Sequence, residues 1–259
     1  MERVGIIGVG EIGRALVTGL RAGADGPAEV FLSPRGARTA AELAGRHPGV
    51  TVCRDNQEVA DRSELVVLAV RRADLAAALA GLEIAPDRVV LNVMAGVGAA
   101  ELRAALGTAA PIVRAIPLPS IAERRSVTVV HPAHPAVEAL LARTGGTLPV
   151  PDEAAFDVLS ALTGALSTHL AYLAALASWA ADRGIDADTA DHYVRGLFTG
   201  LGRGLADPAL PLDRLAAAHE TPGGSNERLR TTWFTPANAA ALTTALDTLL
   251  TDLGRHRPG

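Results

Sequence analysis

Short apolar runs alternate with longer amphipathic stretches over the first part of the chain. The runs are RVGIIGVG from Arg3, AEVFLSP from Ala28, GVTVCRD from Gly49, ELVVLAV from Glu64, RVVLNVMAG from Arg88, PIVRAIPLP from Pro111 and SVTVVHP from Ser126. Their apolar residues do not alternate with polar ones, which predicts strands buried on both faces, as in a parallel sheet covered by helices. Helical spacing over residues 11–22 and 35–45 predicts crossover helices between the earlier strands. Residues 1–151 are therefore expected to form an α/β, doubly wound domain.

Past GGTLPVPDEA, with its prolines and turn residues, no further strand is predicted. Helical spacing covers residues 152–166, 167–183, 188–205, 212–219, 225–234 and 236–253, so residues 152–259 predict an all-α domain. Asp188 and the Thr235-Pro236 pair read as helix starts. HLAYLAALASWAADRG and HYVRGLFTGLGRGLA carry apolar residues on more than one face, which suits burial against a second subunit or in an internal bundle core. A homodimer or higher homo-oligomer is the expectation taken forward.

Composition narrows the chemistry. With 259 residues, 49% of them apolar, a net charge of -4 and no block of like charges, the chain reads as a folded protein. Nucleic acid and membrane surfaces are not the expected partners, and a small molecule is. All 24 basic residues are arginine, which removes Schiff-base and lysine acid chemistry. Cys53 is the single cysteine, expected to be an inert, buried strand residue, and the start of the chain has no signal-like pattern. Both point to the cytoplasm. His131, His134 and His219 lack metal-ligand spacing, so no metal is expected.

The strongest local signal is GVGEIGRAL. Gly8, Gly10 and Gly13, with Glu11 and Ile12 between, follow a strand and open a helix, the context in which such glycines hold a dinucleotide pyrophosphate. Where the second strand ends, FLSPRGAR offers Ser33, Arg35 and Arg38 and no carboxylate. Forked arginine donors there match a 2′-phosphate and favour NADP (NADPH), the alternative being that they solvate a loop.

The order GVGEIGRAL, SPR, DNQEVADRSELVVLAV, LNVMAGV, VRAIPLP and TPGGSNERL resembles the pyrroline-5-carboxylate reductase family over nearly the whole chain. The resemblance implies an NADPH-binding N-terminal domain, a helical domain that interleaves with a partner's, and hydride transfer to the C=N carbon of a cyclic imino acid in proline biosynthesis. It adds Asn56, Val70, Arg71, Ala95 and Gly96 to the cofactor residues, with Arg71 replacing the family's lysine. It also implies a substrate carboxylate near Gly223, Gly224, Ser225 and Asn226, where free amides open a helix; the same turn is a competent helix cap without a ligand. Leu118 stands where the family has asparagine, and Leu166 where it has glycine, so the substrate pocket is rebuilt. Thr168 and His169 occupy the family's Pro-Ala-Tyr segment. They are candidate proton donors, and an ordinary surface or interface role for His169 is the competing reading. A reductase of a different imine or ketone and a non-catalytic NADP-binding dimer are the alternatives to a proline enzyme.

Overall fold

The glycine-broken run near the start of the chain becomes the middle of a sheet. In the computed structural model, which describes residues 2–207 and 209–254, eight strands line up in the order β3-β2-β1-β4-β5-β6-β7-β8. They are β1 (Arg3–Ile7), β2 (Glu29–Leu32), β3 (Val50–Val52), β4 (Leu65–Leu68), β5 (Val89–Asn92), β6 (Ile112–Ile116), β7 (Thr128–His131) and β8 (Thr147–Pro149). β1 pairs in parallel with β2 on one side and β4 on the other, with Gly5 opposite both Phe31 and Val66.

Helices α1 (Glu11–Arg21), α2 (Ala37–Arg46), α3 (Asn56–Arg62), α4 (Leu75–Leu79), α5 (Ala99–Leu106) and α6 (Pro135–Leu141) accompany the strands. Successive strand residues point to opposite faces, and each face carries its own core. Ile6, Leu65, Val67 and Leu91 pack with Leu16 and Leu20 of α1 on one face. Ile7, Val66, Leu68 and Val90 pack with Val59 of α3 and Leu102 of α5 on the other. This is the doubly wound arrangement that unalternating apolar strands require.

Two departures from the sequence reading lie at the far edge of the sheet. β7 runs antiparallel to β6, with Ala115 opposite Val130, because the short link around Pro119–Glu123, a 3-10 turn, is no crossover helix. β8 is an eighth strand, parallel to β7, inside the proline-containing stretch expected to be only a connection. It tolerates Pro149 because an edge strand needs fewer amide donors. Arg114 of β6 is buried between Glu153 and Asp157 and stacks on Phe156 at 4.1 Å, which anchors the segment after the sheet.

The remaining helices are α7 (Glu153–Leu162), α8 (Ala165–Ala181), α9 (Ala187–Thr199), α10 (Gly202–Leu205), α11 (Leu212–Ala218), α12 (Ser225–Trp233) and α13 (Pro236–Gly254). The chain forms two compact units, one of residues 2–160 together with the end of α13 from Thr251, the other spanning Ala161–Leu250. α7 stops earlier than its pattern suggested and Leu166 falls in the first turn of α8, since the Gly164 amide closes a turn on Ala161. Asp186, not Asp188, caps α9 by accepting from the Thr189 amide at 3.0 Å, because only the residue still outside the helix can fold back on its free amides. Thr235 caps α13 as expected, its hydroxyl accepting from Asn238 at 3.3 Å.

Candidate functional site

Six parallel strands, β1 to β6, deliver their carboxyl ends to one edge of the sheet, and the chain reverses its winding between β1 and β4. Ligands of open α/β sheets sit at such a reversal. The glycine turn lies there. Gly8 has φ +101°, and a Cβ on it would meet the Ala69 backbone at 2.6 Å; a Cβ on Gly13 would run into the Gly8 carbonyl. A Cβ on Gly10 would meet nothing within 4 Å. Gly8 and Gly13 are thus required by the protein's own packing, whereas Gly10 faces open space at the start of α1. Glu11 and Ile12 form the first turn of that helix.

Ser33 is buried beneath this turn, and its hydroxyl accepts from the Gly8 amide at 3.0 Å. Arg35 stands above it, 58% exposed, and donates to Asp74 at 2.6 Å. Arg71, 84% exposed, reaches the other oxygen of the same carboxylate at 2.9 Å. Arg71 and Arg35 together hold the Asp74 carboxyl below the usual carboxylate range. Arg38 is exposed at the start of α2. Asn56 opens α3 next to the Asp55 cap, and its amide donates to the Ala78 carbonyl at 2.9 Å, which leaves its side-chain oxygen available. Val70 follows β4 and borders the same edge.

Ala95 and Gly96 sit in the turn after β5. Asn92, buried, shapes that turn by donating to the Val97 carbonyl at 2.8 Å and accepting from the Met94 amide at 3.0 Å. Arg72 bonds the Gly96 carbonyl and Glu101, which ties the exits of β4 and β5 together. Sequence reasoning missed Asp74, Asn92 and Arg72. The first had a readable signal, an acidic residue three positions after Arg71; the others depend on contacts the spacing does not reveal.

The expected substrate residues fall in both units. Leu118 is half-buried after β6, its amide donating to Ser126 at 3.3 Å. In the second unit the turn before α12 is partly self-satisfied. Gly224 donates to the Thr221 carbonyl at 2.7 Å, and Gly223 donates to the Glu227 carboxylate at 2.5 Å. Asn226 donates to the His219 carbonyl at 2.7 Å. The two glycine amides expected to be free are therefore taken, Gly223 by Glu227 folding back over the helix start and Gly224 by the Thr221 carbonyl. Leu166 is exposed. Thr168 turns its hydroxyl toward the Gly164 carbonyl of its own helix. His169 joins an aromatic cluster, edge-on to Phe198 at 5.9 Å and tilted against Tyr172 at 6.4 Å. Tyr172 in turn stacks on Trp233 at 5.3 Å. Among the described residues no three His, Cys, Asp or Glu side chains group as metal ligands.

A sheet of this order with a glycine turn at its winding reversal is the Rossmann-type arrangement in which dinucleotides bind. The family model described as NADP oxidoreductase, coenzyme F420-dependent, matches residues 3–96. The pyrroline-5-carboxylate reductase of Pseudomonas aeruginosa is 30% identical over 172 residues, 62% of this chain and 62% of that one. Pyrroline-5-carboxylate reductase 2 of Bacillus subtilis is 24% identical over 88% of this chain and 85% of its own. The structure of a pyrroline-5-carboxylate reductase from Coxiella burnetii superposes with a TM-score of 0.80 at 20% identity, covering 99% of this chain and 98% of that one. Over most of its length the chain is thus similar to pyrroline-5-carboxylate reductases, in sequence and in fold.

Proposed function

We propose that this protein is an NADPH-dependent reductase of a cyclic imine. The observation that carries the reading is the open space at Gly10 between two glycines that packing requires, with arginines at the neighbouring strand ends. These residues fit a dinucleotide. The α1 amides near Gly10 suit its pyrophosphate, Arg35 and Arg38 its 2′-phosphate, the Asn56 side-chain oxygen a ribose hydroxyl, and the turn at Ala95 and Gly96 the nicotinamide. When bound, the cofactor supplies hydride to the C=N carbon. The protein's task is to orient that carbon and exclude water, which needs no lysine. Thr168 and His169 are the candidate donors of a proton to the nitrogen.

Glu227 favours a second reading, a reductase of the same fold whose imine bears no carboxylate. Its own carboxylate occupies the Gly223 amide, and Leu118 and Leu166 add apolar surface where the family has asparagine and glycine. NADPH oxidation with pyrroline-5-carboxylate and with a panel of uncharged cyclic imines separates the two. Preference for pyrroline-5-carboxylate, with no gain in Leu118→Asn or Glu227→Gln, removes the second reading; no turnover of any imine removes both.

A second copy of the chain completes the helical unit in this proposal. Among the described residues of Ala161–Leu250, only Ala161, Ala190 and Val194 are buried. Leu170, Trp179, Tyr193, Leu197, Leu205 and Leu212 are each more than half exposed. So small a core does not hold a unit of this size by itself. The run Glu153–Ala181 has the length and apolarity of a membrane span, but it is two helices, α7 and α8, separated by the Gly164 turn. Apolar faces on several successive helices suit a subunit interface, and a cytoplasmic dimer is the expected form.

A further inference from the structure

Asp74 is placed to act on the cofactor preference rather than on the fold. It reaches Arg35 with one oxygen at 2.6 Å and Arg71 with the other. Arg35 follows β2, while Arg71 and Asp74 follow β4, and these two strands flank β1 and its glycine turn. The bridge therefore spans the edge where the turn opens, and it joins two of the arginines expected to serve a phosphorylated cofactor. Asp74 makes no side-chain cap on α4, so local helix formation does not require it.

We propose that Asp74 is a specificity-determining residue that tempers the preference for a 2′-phosphorylated dinucleotide, because its carboxylate occupies the guanidinium groups that the phosphate would use. The inference rests on the proposed binding of NADPH at Arg35. Two opposed effects have to be weighed. As a brace, Asp74 orders two long side chains; as an anion, it competes with and repels a second anion on the same donors. Ion pairs this exposed order their partners weakly. A phosphate bearing close to two charges at neutral pH feels a neighbouring carboxylate strongly. Competition outweighs bracing. The absence of a carboxylate at the end of β2, read from sequence as a mark of NADP, is thus partly offset in space by a carboxylate arriving from the β4 exit.

The test is Asp74→Asn, which keeps shape and an acceptor but removes the charge, beside Asp74→Glu, which keeps the charge. Affinities for NADPH, NADH, 2′,5′-ADP and 5′-AMP are measured by titration calorimetry on the full chain. Asp74→Asn is expected to tighten NADPH and 2′,5′-ADP by about two- to five-fold, the scale of one exposed charge contact, with NADH and 5′-AMP unchanged. Asp74→Glu should keep the original ratio, and the gain should vanish in the Arg35→Ala, Asp74→Asn double variant. Weaker NADPH binding in Asp74→Asn makes the residue a brace and overturns the proposal, as does an unchanged ratio or a parallel shift of both cofactors; none of these touches the NADPH reading. Failure of the unaltered protein to bind either dinucleotide overturns the proposal and the reading together.

Discussion

The backbone amide of Gly8 donates to the hydroxyl of Ser33 across 3.0 Å, and Ser33 is buried. The residue expected from sequence to meet the 2′-phosphate thus holds the glycine turn from below. Ser33→Ala leaves the Gly8 amide without its acceptor, a loss of about 1–3 kcal/mol. A lower thermal midpoint is expected, together with weaker binding of NADPH and NADH alike. A loss confined to NADPH would place the hydroxyl on the phosphate instead.

Gly10 and Gly13 should separate function from stability. Gly13→Ala drives a methyl into the Gly8 carbonyl and is expected to destabilise by about 1–3 kcal/mol through overpacking. Gly10→Ala meets no protein atom, so its stability should stay within about 0.5 kcal/mol while dinucleotide affinity falls. Denaturant melts paired with cofactor titration check both; intact affinity in Gly10→Ala would move the pyrophosphate elsewhere.

Cys53 follows β3, and its amide continues the ladder onto the Leu32 carbonyl. Burial pushes its thiol up from the ordinary value. A raised pKa in the folded state contributes stability that is full below the thiol's unfolded pKa and is lost as pH rises toward the folded one. Alkylation of the native protein at about pH 8 should therefore be slow, becoming fast once it is unfolded. Rapid native labelling would contradict the burial.

The exposed apolar faces of α8 and α9 make a prediction about assembly. The protein should sediment as a dimer or larger at micromolar concentration, and a Leu170→Asp, Leu197→Asp double variant should dissociate and lose thermal stability together, as the proposed burial of these faces against a second copy requires. A stable monomer of the unaltered chain would refute this, and partition of the unaltered chain into membranes would favour a bilayer partner instead.

Local patterning determined a good deal by itself. Unalternating apolar runs implied a sheet covered on both faces, because each strand needs apolar side chains in both directions. The glycines implied the tight turn after β1, because only glycine reaches the φ of Gly8 without strain. Motif order indicated the likeness to pyrroline-5-carboxylate reductases. Tertiary structure decided what depends on distant partners. The reversed direction of β7 and the addition of β8 follow from which edge was free to pair, a choice that strand propensity does not encode. Ser33 lies beneath the glycine turn, Asp74 between Arg35 and Arg71, and Glu227 on the Gly223 amide. Sequence shows that each of these groups is polar and near a motif; only the folded chain shows that another protein group already holds it. A hydrogen bond or ion pair is a matter of a few ångströms in space, and those ångströms are set by how β2 and β4 flank β1 and by how α12 begins.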